Sequence, residues 1–259
     1  MVLMKAVILA GGLGTRLSEE TVVRPKPLVE IGGRPILWHI MKLYGHYGIE
    51  EFVICCGYKG YLIKEYFANY FLHTSDVTFD IANNELRVHQ RHGEPWRVTV
   101  VDTGDDSNTG GRLGRVAEYL NDTFCFTYGD GLADVDVGAL LASHRASGLA
   151  ATVTAVRPTG RFGALELDPA AGRVEEFREK TEGKESWVNG GFFVLEPSVL
   201  PLIAGDGCSW ENEVLPELAR RRQLNAYCHE GFWQPMDTLR EKLKLEELWE
   251  SGAALWKLW

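Results

Sequence analysis

The sequence of 259 residues has no long apolar run, since no stretch approaches the roughly 20 residues that a membrane-spanning helix needs. It also leaves no room for a secretory signal peptide, because residues 1–5 lead directly into a strand-like segment. We therefore expect a chain without membrane contacts that stays in the cytoplasm.

Cysteines are few, and none has Cys-x-x-Cys spacing. There are five, an odd number, and Cys55, Cys56 and Cys125 lie in apolar segments typical of strands. Disulfide frameworks and zinc ribbons need paired or regularly spaced cysteines. We predict that all five, including Cys208 and Cys228, are buried thiols in a reducing compartment.

Basic residues are fewer than acidic residues. Lys and Arg number 27 against 36 Asp and Glu, which gives a net charge of −9 at pH 7. Nucleic-acid-binding domains usually carry a basic face, so this balance indicates no nucleic-acid partner. A small anionic ligand must then be attracted by local groups, such as Arg16, Arg24, Lys26 and backbone amides.

One stretch near the start is rich in glycine and basic residues. It reads Lys5-Ala-Val-Ile-Leu-Ala-Gly-Gly-Leu-Gly-Thr-Arg-Leu17 and continues as Arg24-Pro-Lys-Pro-Leu28. The apolar part predicts a buried parallel strand, and the glycines after it let an anion approach the backbone. No Gly-Lys-Ser or Gly-Lys-Thr closes a P-loop, and Leu17 replaces the third glycine of a dinucleotide fingerprint. The segment is either a different polyphosphate cradle or an ordinary glycine-rich turn.

Apolar patterning predicts an α/β fold with a mostly parallel sheet, interrupted by small β-rich insertions. The predicted parallel strands cover residues 6–10, 51–56, 97–102 and 124–128. Helical spacing falls at residues 35–48, 59–71 and 113–120, and a further helix begins near Val137. A hairpin at 76–90 and turn-rich strands at 151–156, 163–167, 173–177 and 188–195 complete the pattern. The aromatic end, Leu255-Trp-Lys-Leu-Trp259, should dock on its own domain or on another subunit.

Two carboxylates are candidate metal ligands. Asp130 follows the strand predicted at 124–128, and Asp237 precedes the last predicted helix. Ligands bind at the carboxyl ends of strands in open α/β sheets, and Mg²⁺ takes oxygen ligands and accompanies phosphates. The plainer interpretations are a turn residue for Asp130 and a helix N-cap for Asp237.

Two polar segments are candidate ligand contacts. Residues 103–112 predict either a solvated loop with an N-cap or a base pocket. In the pocket, Gly110 and Gly111 let a flat ring approach while Thr109 or Arg112 reads its edge. Further along, Lys180 and Asn189-Gly-Gly191 form either a solvated face and a turn, or a sugar-phosphate contact.

The run Gly-Gly-x-Gly-Thr-Arg followed by Pro-Lys-Pro resembles the signature of the sugar-1-phosphate nucleotidylyltransferases. The resemblance covers nearly the whole chain and is carried by residues 10–17, 25–27, 57–61, 101–104, 109–112, 126–130, 161–164, 189–193 and 231–237. It implies a single domain over residues 1–259 with a Rossmann-like core, which binds nucleotide through about residues 1–150 and sugar phosphate through about 151–259. It also implies cytidylyl transfer from CTP to α-D-glucose 1-phosphate, giving CDP-glucose and pyrophosphate, with Mg²⁺ and a homo-oligomer that is often a hexamer.

The resemblance also implies roles for individual residues. The implied catalytic residues are Arg16, Lys26, Asp130 and Asp237, of which Asp130 and Asp237 bind the metal. The implied nucleotide-binding residues are Leu9, Gly11, Gly12, Gly14, Thr15, Arg16, Lys26, Thr109, Gly110, Gly111 and Arg112. The implied sugar-phosphate residues are Tyr128, Gly129, Glu179, Lys180, Asn189, Gly190 and Trp233. The chain departs from the family after the Glu179-Lys180 pair: family members commonly have a proline at the next position, whereas this chain has Thr181.

Three other functions remain as alternatives. The same reaction with UTP or dTTP is one alternative, because the pyrimidines share their size and differ in the donor and acceptor groups presented at ring position 4. A non-catalytic nucleotide-sugar-binding regulatory subunit would retain the fold without turnover. A nicotinamide-dependent dehydrogenase is disfavoured by the missing third glycine.

Overall fold

The fold is described by a computed structural model, which covers residues 4–12, 14–89, 93–158, 164–168, 173–178 and 187–259. Its strands are β1 (Lys5–Ala10), β2 (Glu30–Ile31), β3 (Arg34–Pro35), β4 (Glu51–Cys56), β5 (Val77–Asp80), β6 (Glu85–Val88), β7 (Arg97–Asp102), β8 (Phe124–Tyr128), β9 (Gly131–Ala133), β10 (Ala151–Val156), β11 (Ala164–Asp168), β12 (Arg173–Arg178), β13 (Val188–Leu195), β14 (Leu224–His229) and β15 (Trp233–Pro235). Its α-helices are α1 (Ser18–Thr21), α2 (Ile36–His46), α3 (Gly60–Ala68), α4 (Tyr70–Thr74), α5 (Thr109–Gly114), α6 (Val137–Ser147), α7 (Leu215–Arg220) and α8 (Leu239–Glu250).

Seven strands form the central sheet, in the order β14-β10-β13-β8-β1-β4-β7. Strands β8, β1, β4 and β7 run parallel to one another, while β13 is antiparallel to both of its neighbours. The four parallel strands are apolar because cores on both faces of the sheet cover them. The prediction of an α/β fold with a mostly parallel sheet is confirmed.

The strand order places a ligand crevice beside β1. The chain leaves β1 toward β4 and β7 on one side, then returns to β8 on the other side. Connections that leave a strand in opposite directions open a crevice outside the carboxyl ends of the two strands. Here that crevice lies after Ala10 and Tyr128, where the glycine-rich turn and Asp130 begin.

Three predictions about the fold are wrong in detail. The helix predicted at 59–71 is two helices, α3 and α4, separated at Asn69. The helix predicted at 113–120 begins earlier, because the side chain of Asn108 accepts from the backbone N–H of Thr109 at 2.9 Å and caps α5. Cys228 is exposed rather than buried, since β14 is an edge strand of the sheet.

The C-terminal aromatic segment docks on its own domain. Trp256 is buried, stacks on Phe232 at a centroid distance of 5.5 Å, and donates from Nε1 to Nδ1 of His39 at 3.3 Å. The other ring nitrogen of His39, Nε2, lies 2.8 Å from the carbonyl of Ile31. This arrangement requires neutral His39 with its proton on Nε2, because Nδ1 must accept. Among the described residues, no helix is long and apolar enough to cross a membrane.

Acid should destabilise the protein through His39. Burial lowers the pKa of His39 from 6.5 to about 4. Between these values the unfolded chain binds a proton that the folded chain does not, so stability falls as the pH drops through 6.5 and toward 4. We expect a loss of about 3 kcal/mol in the free energy of unfolding from this residue.

Urea unfolding at several pH values measures this effect. Glutamine in place of His39 retains a donor and an acceptor but does not titrate, so His39→Gln should lose about 3 kcal/mol less than the wild type across this window. Equal pH dependence in the two proteins would contradict the assignment to His39.

Candidate active site

The turn after β1 forms one wall of a cleft of about 330 Å³. Gly14 has φ of +64°, and a Cβ atom there would lie 2.7 Å from Cγ2 of Thr21. A Cβ at Gly12 would meet no atom within 4 Å, so the backbone there faces open space. Other lining residues are Leu9, Gly11, Thr15, Arg16, Lys26, Thr109, Arg112, Tyr128, Gly129, Asp130 and Asp237. The cleft therefore brings together most of the predicted nucleotide-binding residues.

Three charged side chains meet at the floor of this cleft. Nζ of Lys26 donates to Oδ2 of Asp130 and to Oδ1 of Asp237, each at 2.7 Å. Lys26 is only 9% exposed. Burial disfavours the charged ammonium, but the two carboxylates outweigh it, so the pKa of Lys26 is raised. The group is a cation held between two carboxylates at the bottom of the cleft.

Distant parts of the chain position these groups. Lys26 lies in a short 3₁₀ turn between Pro25 and Pro27. Asp130 follows β8, and its carbonyl accepts from the backbone N–H of Met236 at 2.8 Å, which draws Asp237 alongside. The N-cap of α8 is Thr238, in a capping box with Glu241, so the N-cap interpretation of Asp237 is wrong. The carboxylate of Asp237 is free to face the cleft.

A fourth charge reaches the same carboxylate from the glycine-rich turn. Nη1 of Arg16 lies 3.1 Å from Oδ2 of Asp237, and the Arg16 side chain is 72% exposed. An exposed ion pair contributes little to stability. Arg16 therefore remains available to an anionic ligand entering from solvent.

The two carboxylates fit a divalent cation. Oxygens of Asp130 and Asp237 already converge on one positive group, the ammonium of Lys26. Mg²⁺ binds in this manner, through one or two carboxylates together with waters and phosphate oxygens. Among the described residues, no group of three or more His, Cys, Asp or Glu could hold a metal ion. Water and substrate would have to complete the coordination.

Arg112 holds the loops of the cleft in place. Its Nη1 and Nη2 donate to the carbonyls of Gly11, Cys56, Gly104 and Asp105, at 2.6–3.2 Å, and Nη1 also reaches Oγ1 of Thr103. A Cβ at Gly11 would lie 2.2 Å from this guanidinium. These N–H groups face protein carbonyls rather than a ligand edge, so Arg112 supports the glycine-rich turn.

Gly110 and Gly111 lie where α5 closely approaches another segment of the chain. A Cβ at Gly111 would lie 2.1 Å from the carbonyl oxygen of Asp206, and one at Gly110 would lie 2.8 Å from that of Cys208. The protein's own backbone fills the space on the Cβ side of both glycines, and their contact with a base stays a prediction. These glycines let α5 pack against the segment before the turn at Trp210–Val214.

The sequence interpretation missed Glu211, which joins two predicted site residues. Its Oε2 accepts from Oγ1 of Thr109 at 2.6 Å, and its Oε1 accepts from the hydroxyl of Tyr128 at 2.7 Å. Asn189 donates from Nδ2 to the same Tyr128 hydroxyl at 3.1 Å. Burial, followed by the negative charge of Glu211, raises the pKa of Tyr128. No local motif marks Glu211, which lies 102 and 83 residues from its two partners.

Three more of the predicted sugar-side residues, Gly129, Gly190 and Trp233, lie in the described part of the chain. Trp233 donates from Nε1 to the carbonyl of Gly190 at 2.8 Å, which ties the β9–β15 ribbon to β13. A Cβ at Gly129 would lie 2.5 Å from the carbonyl of Leu9, so this glycine lets β1 and β8 remain close beyond their last pairing. Glu179 and Lys180 lie outside the described residues.

The profile of the nucleotidyl transferase family matches residues 5–238 of the chain. The chain belongs to the nucleotidyl transferase family. It is similar to the glucose-1-phosphate cytidylyltransferase of Salmonella typhi, with 64% identity and with 99% of this chain and 100% of that protein covered. A probable glucose-1-phosphate cytidylyltransferase of Bacillus subtilis is 44% identical, with 99% and 100% covered.

A solved structure shares the architecture of this chain. HddC from Yersinia pseudotuberculosis matches with a TM-score of 0.68 over 95% of this chain and 99% of that one, at 22% identity. At that identity the likeness is one of fold. The resemblance inferred from the sequence motifs is confirmed, and nucleotidyl transferases of this family generally use a divalent metal.

Proposed function

We propose that this chain transfers a cytidylyl group from CTP to α-D-glucose 1-phosphate and releases pyrophosphate. The observation that carries the proposal is the cluster of Arg16, Lys26, Asp130 and Asp237 beside the glycine-rich turn. This cluster occurs in a chain that is 64% identical, over nearly its whole length, to a glucose-1-phosphate cytidylyltransferase. Its chemistry suits a reaction between two polyanions.

In this reaction, a phosphate oxygen of glucose 1-phosphate attacks the α-phosphorus of CTP. A new P–O bond forms, the bond between the α-phosphorus and the bridging oxygen breaks, and pyrophosphate leaves with that oxygen. The nucleophile is already an anion, so no general base has to remove a proton. The protein must align the two phosphates and offset their repulsion.

The charged residues divide this work. Lys26 offsets negative charge at the α-phosphate, and exposed Arg16 stabilises the departing pyrophosphate. Asp130 and Asp237 would hold Mg²⁺, which when bound supplies charge neutralisation and orients the phosphates of CTP. The backbone of Gly11, Gly12 and Gly14 and the hydroxyl of Thr15 hold the triphosphate, beside Leu9. Lys26 and Arg16 together offset the charge of the two carboxylates.

We assign the glucose phosphate to the side of the cleft near β13. Tyr128 and Asn189, which are hydrogen-bonded to each other, and the backbone of Gly129 and Gly190 bind the sugar, and Trp233 fixes Gly190. Glu179 and Lys180 follow β12 in the chain and are the proposed contacts to hydroxyl and phosphate groups. We further propose that the protein acts in the cytoplasm as a homo-oligomer, often a hexamer in this family, without nucleic-acid or membrane partners.

Pyrophosphate release tests the proposed substrates. Purified protein, Mg²⁺ and glucose 1-phosphate are combined in turn with CTP, UTP, dTTP, ATP and GTP. A strong preference for CTP is expected. Equal turnover of the pyrimidine triphosphates would retain the reaction but contradict the base assignment, and no release from any of them would favour a binding subunit.

A further inference from the structure

Three hydroxyl groups converge on the carboxylate of Glu211. Thr109 donates at 2.6 Å and Ser209 at 3.2 Å to Oε2, and Tyr128 donates at 2.7 Å to Oε1. The five-residue turn that carries Glu211 is a π-helix, from Trp210 to Val214. Such turns occur frequently at functional sites, because they displace a side chain that a regular helix would place elsewhere.

A carboxylate can accept hydrogen bonds but cannot donate them. Glu211 therefore fixes the direction of the hydroxyl protons of Thr109 and Tyr128, which both point at it. Each hydroxyl oxygen also accepts one bond, from the N–H of Trp210 to Thr109 at 2.9 Å and from Asn189 to Tyr128 at 3.1 Å. Each oxygen therefore retains one lone pair that can accept a hydrogen bond from a ligand.

Both oxygens belong to residues that line the cleft with the glycine-rich turn and Lys26. Thr109 begins α5 on the nucleotide side, whereas Tyr128 ends β8 on the side assigned to the sugar. Because both hydroxyl protons are directed at Glu211, these two hydroxyl groups can accept a hydrogen bond from a ligand but cannot donate one. A ligand must bring the donor.

We propose that Glu211 is a positioning residue that makes Thr109 an obligate acceptor and thereby selects a base with an amino group over one with a carbonyl. Cytosine carries an amino group at ring position 4, and uracil and thymine carry a carbonyl oxygen there. A carbonyl facing the Thr109 lone pair leaves two acceptors opposed, which costs the unmade hydrogen bond and its desolvation. This inference rests on the proposed function and explains why the protein would prefer CTP to UTP or dTTP.

The substitution Glu211→Gln tests the proposal, because glutamine has the same shape but can also donate. With glutamine present, the Thr109 hydroxyl can turn its proton toward the ligand. We expect the ratio of the dissociation constants for UTP and CTP, measured by calorimetry without glucose 1-phosphate, to fall about tenfold. The matched control is Glu213→Gln, since Glu213 lies on the same turn and accepts from the backbone of Ser209 instead.

Two Thr109 variants separate positioning from general damage. Thr109→Ser retains the hydroxyl and should retain the preference for CTP, whereas Thr109→Val should lose it. If Glu211 acts through Thr109, adding Glu211→Gln to Thr109→Val should change the ratio no further. If Glu211→Gln does not fold, Thr109→Ser and Thr109→Val still test whether the Thr109 hydroxyl sets the preference for CTP.

An unchanged ratio of dissociation constants in folded Glu211→Gln, or in Thr109→Val, would overturn the inference. The proposed function fails separately, if the wild-type protein neither binds nor turns over CTP. A wild type that uses CTP, together with a Glu211→Gln variant of unchanged preference, would retain the function and remove only the role of Glu211.

Discussion

Replacing Lys26 with alanine will lower kcat by about 100-fold or more, with a smaller change in the Michaelis constant for CTP. Lys26 is a buried cation at the floor of the cleft, and the proposed transition state gathers negative charge on the α-phosphate beside it. An interaction that strengthens in the transition state affects kcat more than substrate binding. Steady-state pyrophosphate release at saturating CTP measures the change.

The matched control for this prediction is Lys64→Ala. Lys64 lies exposed on α3, and its loss removes the same charge without touching the cleft. Unchanged turnover in Lys26→Ala would contradict the role given to Lys26. A second measurement is independent of catalysis. Without the ammonium, Asp130 loses its ion pair with Lys26 and Asp237 keeps only the exposed Arg16, so Mg²⁺ should raise the melting temperature of Lys26→Ala more than that of the wild type.

Asp237→Asn will raise the Mg²⁺ concentration required for half-maximal activity by about tenfold or more, and will lower kcat. The substitution preserves the size of the side chain but removes one of the two negative charges proposed to hold the metal. It also removes the partner of Arg16 and one partner of Lys26. Titration of activity with Mg²⁺, at saturating substrates, measures the shift.

Binding of Mn²⁺, followed by electron paramagnetic resonance, tests the same site without turnover. The affinity of Asp237→Asn for Mn²⁺ should be about tenfold or more below that of the wild type, matching the rise in its Mg²⁺ requirement. Asp122→Asn, a change on an exposed loop, is the control. Equal Mn²⁺ affinity in Asp237→Asn and the wild type would contradict the metal assignment.

The parallel strands could be predicted from sequence because their signal is local. Strands β4, β7 and β8 were predicted to the residue, as was the antiparallel β13, since each is a largely apolar run bounded by turn residues. The beginning of α5 could not be predicted in the same way. Gly110 and Gly111 weaken a helix locally, but they are required where the helix packs on residues 206–208.

The candidate site also contains residues with a local sequence signal and residues whose contacts depend on tertiary structure. The glycine-rich turn, Lys26, Asp130 and Asp237 lie in short motifs or at strand ends, so the sequence indicates them. Glu211 contacts Tyr128 and Thr109, which lie about 80 and 100 positions away, and those contacts follow from the packing of α5 and β8. The carbonyl contacts of Arg112 also depend on tertiary structure, and they redirect a cation that the sequence placed at the ligand.

The most direct test of the proposed reaction follows the label from CTP radiolabelled at the α-phosphorus. The protein is incubated with labelled CTP and Mg²⁺, with and without glucose 1-phosphate, and the products are separated by chromatography. We predict that the label enters CDP-glucose only when glucose 1-phosphate is present, together with an equal amount of unlabelled pyrophosphate. Label that remains in CTP, or that appears as CMP without a nucleotide sugar, would contradict cytidylyl transfer at this site.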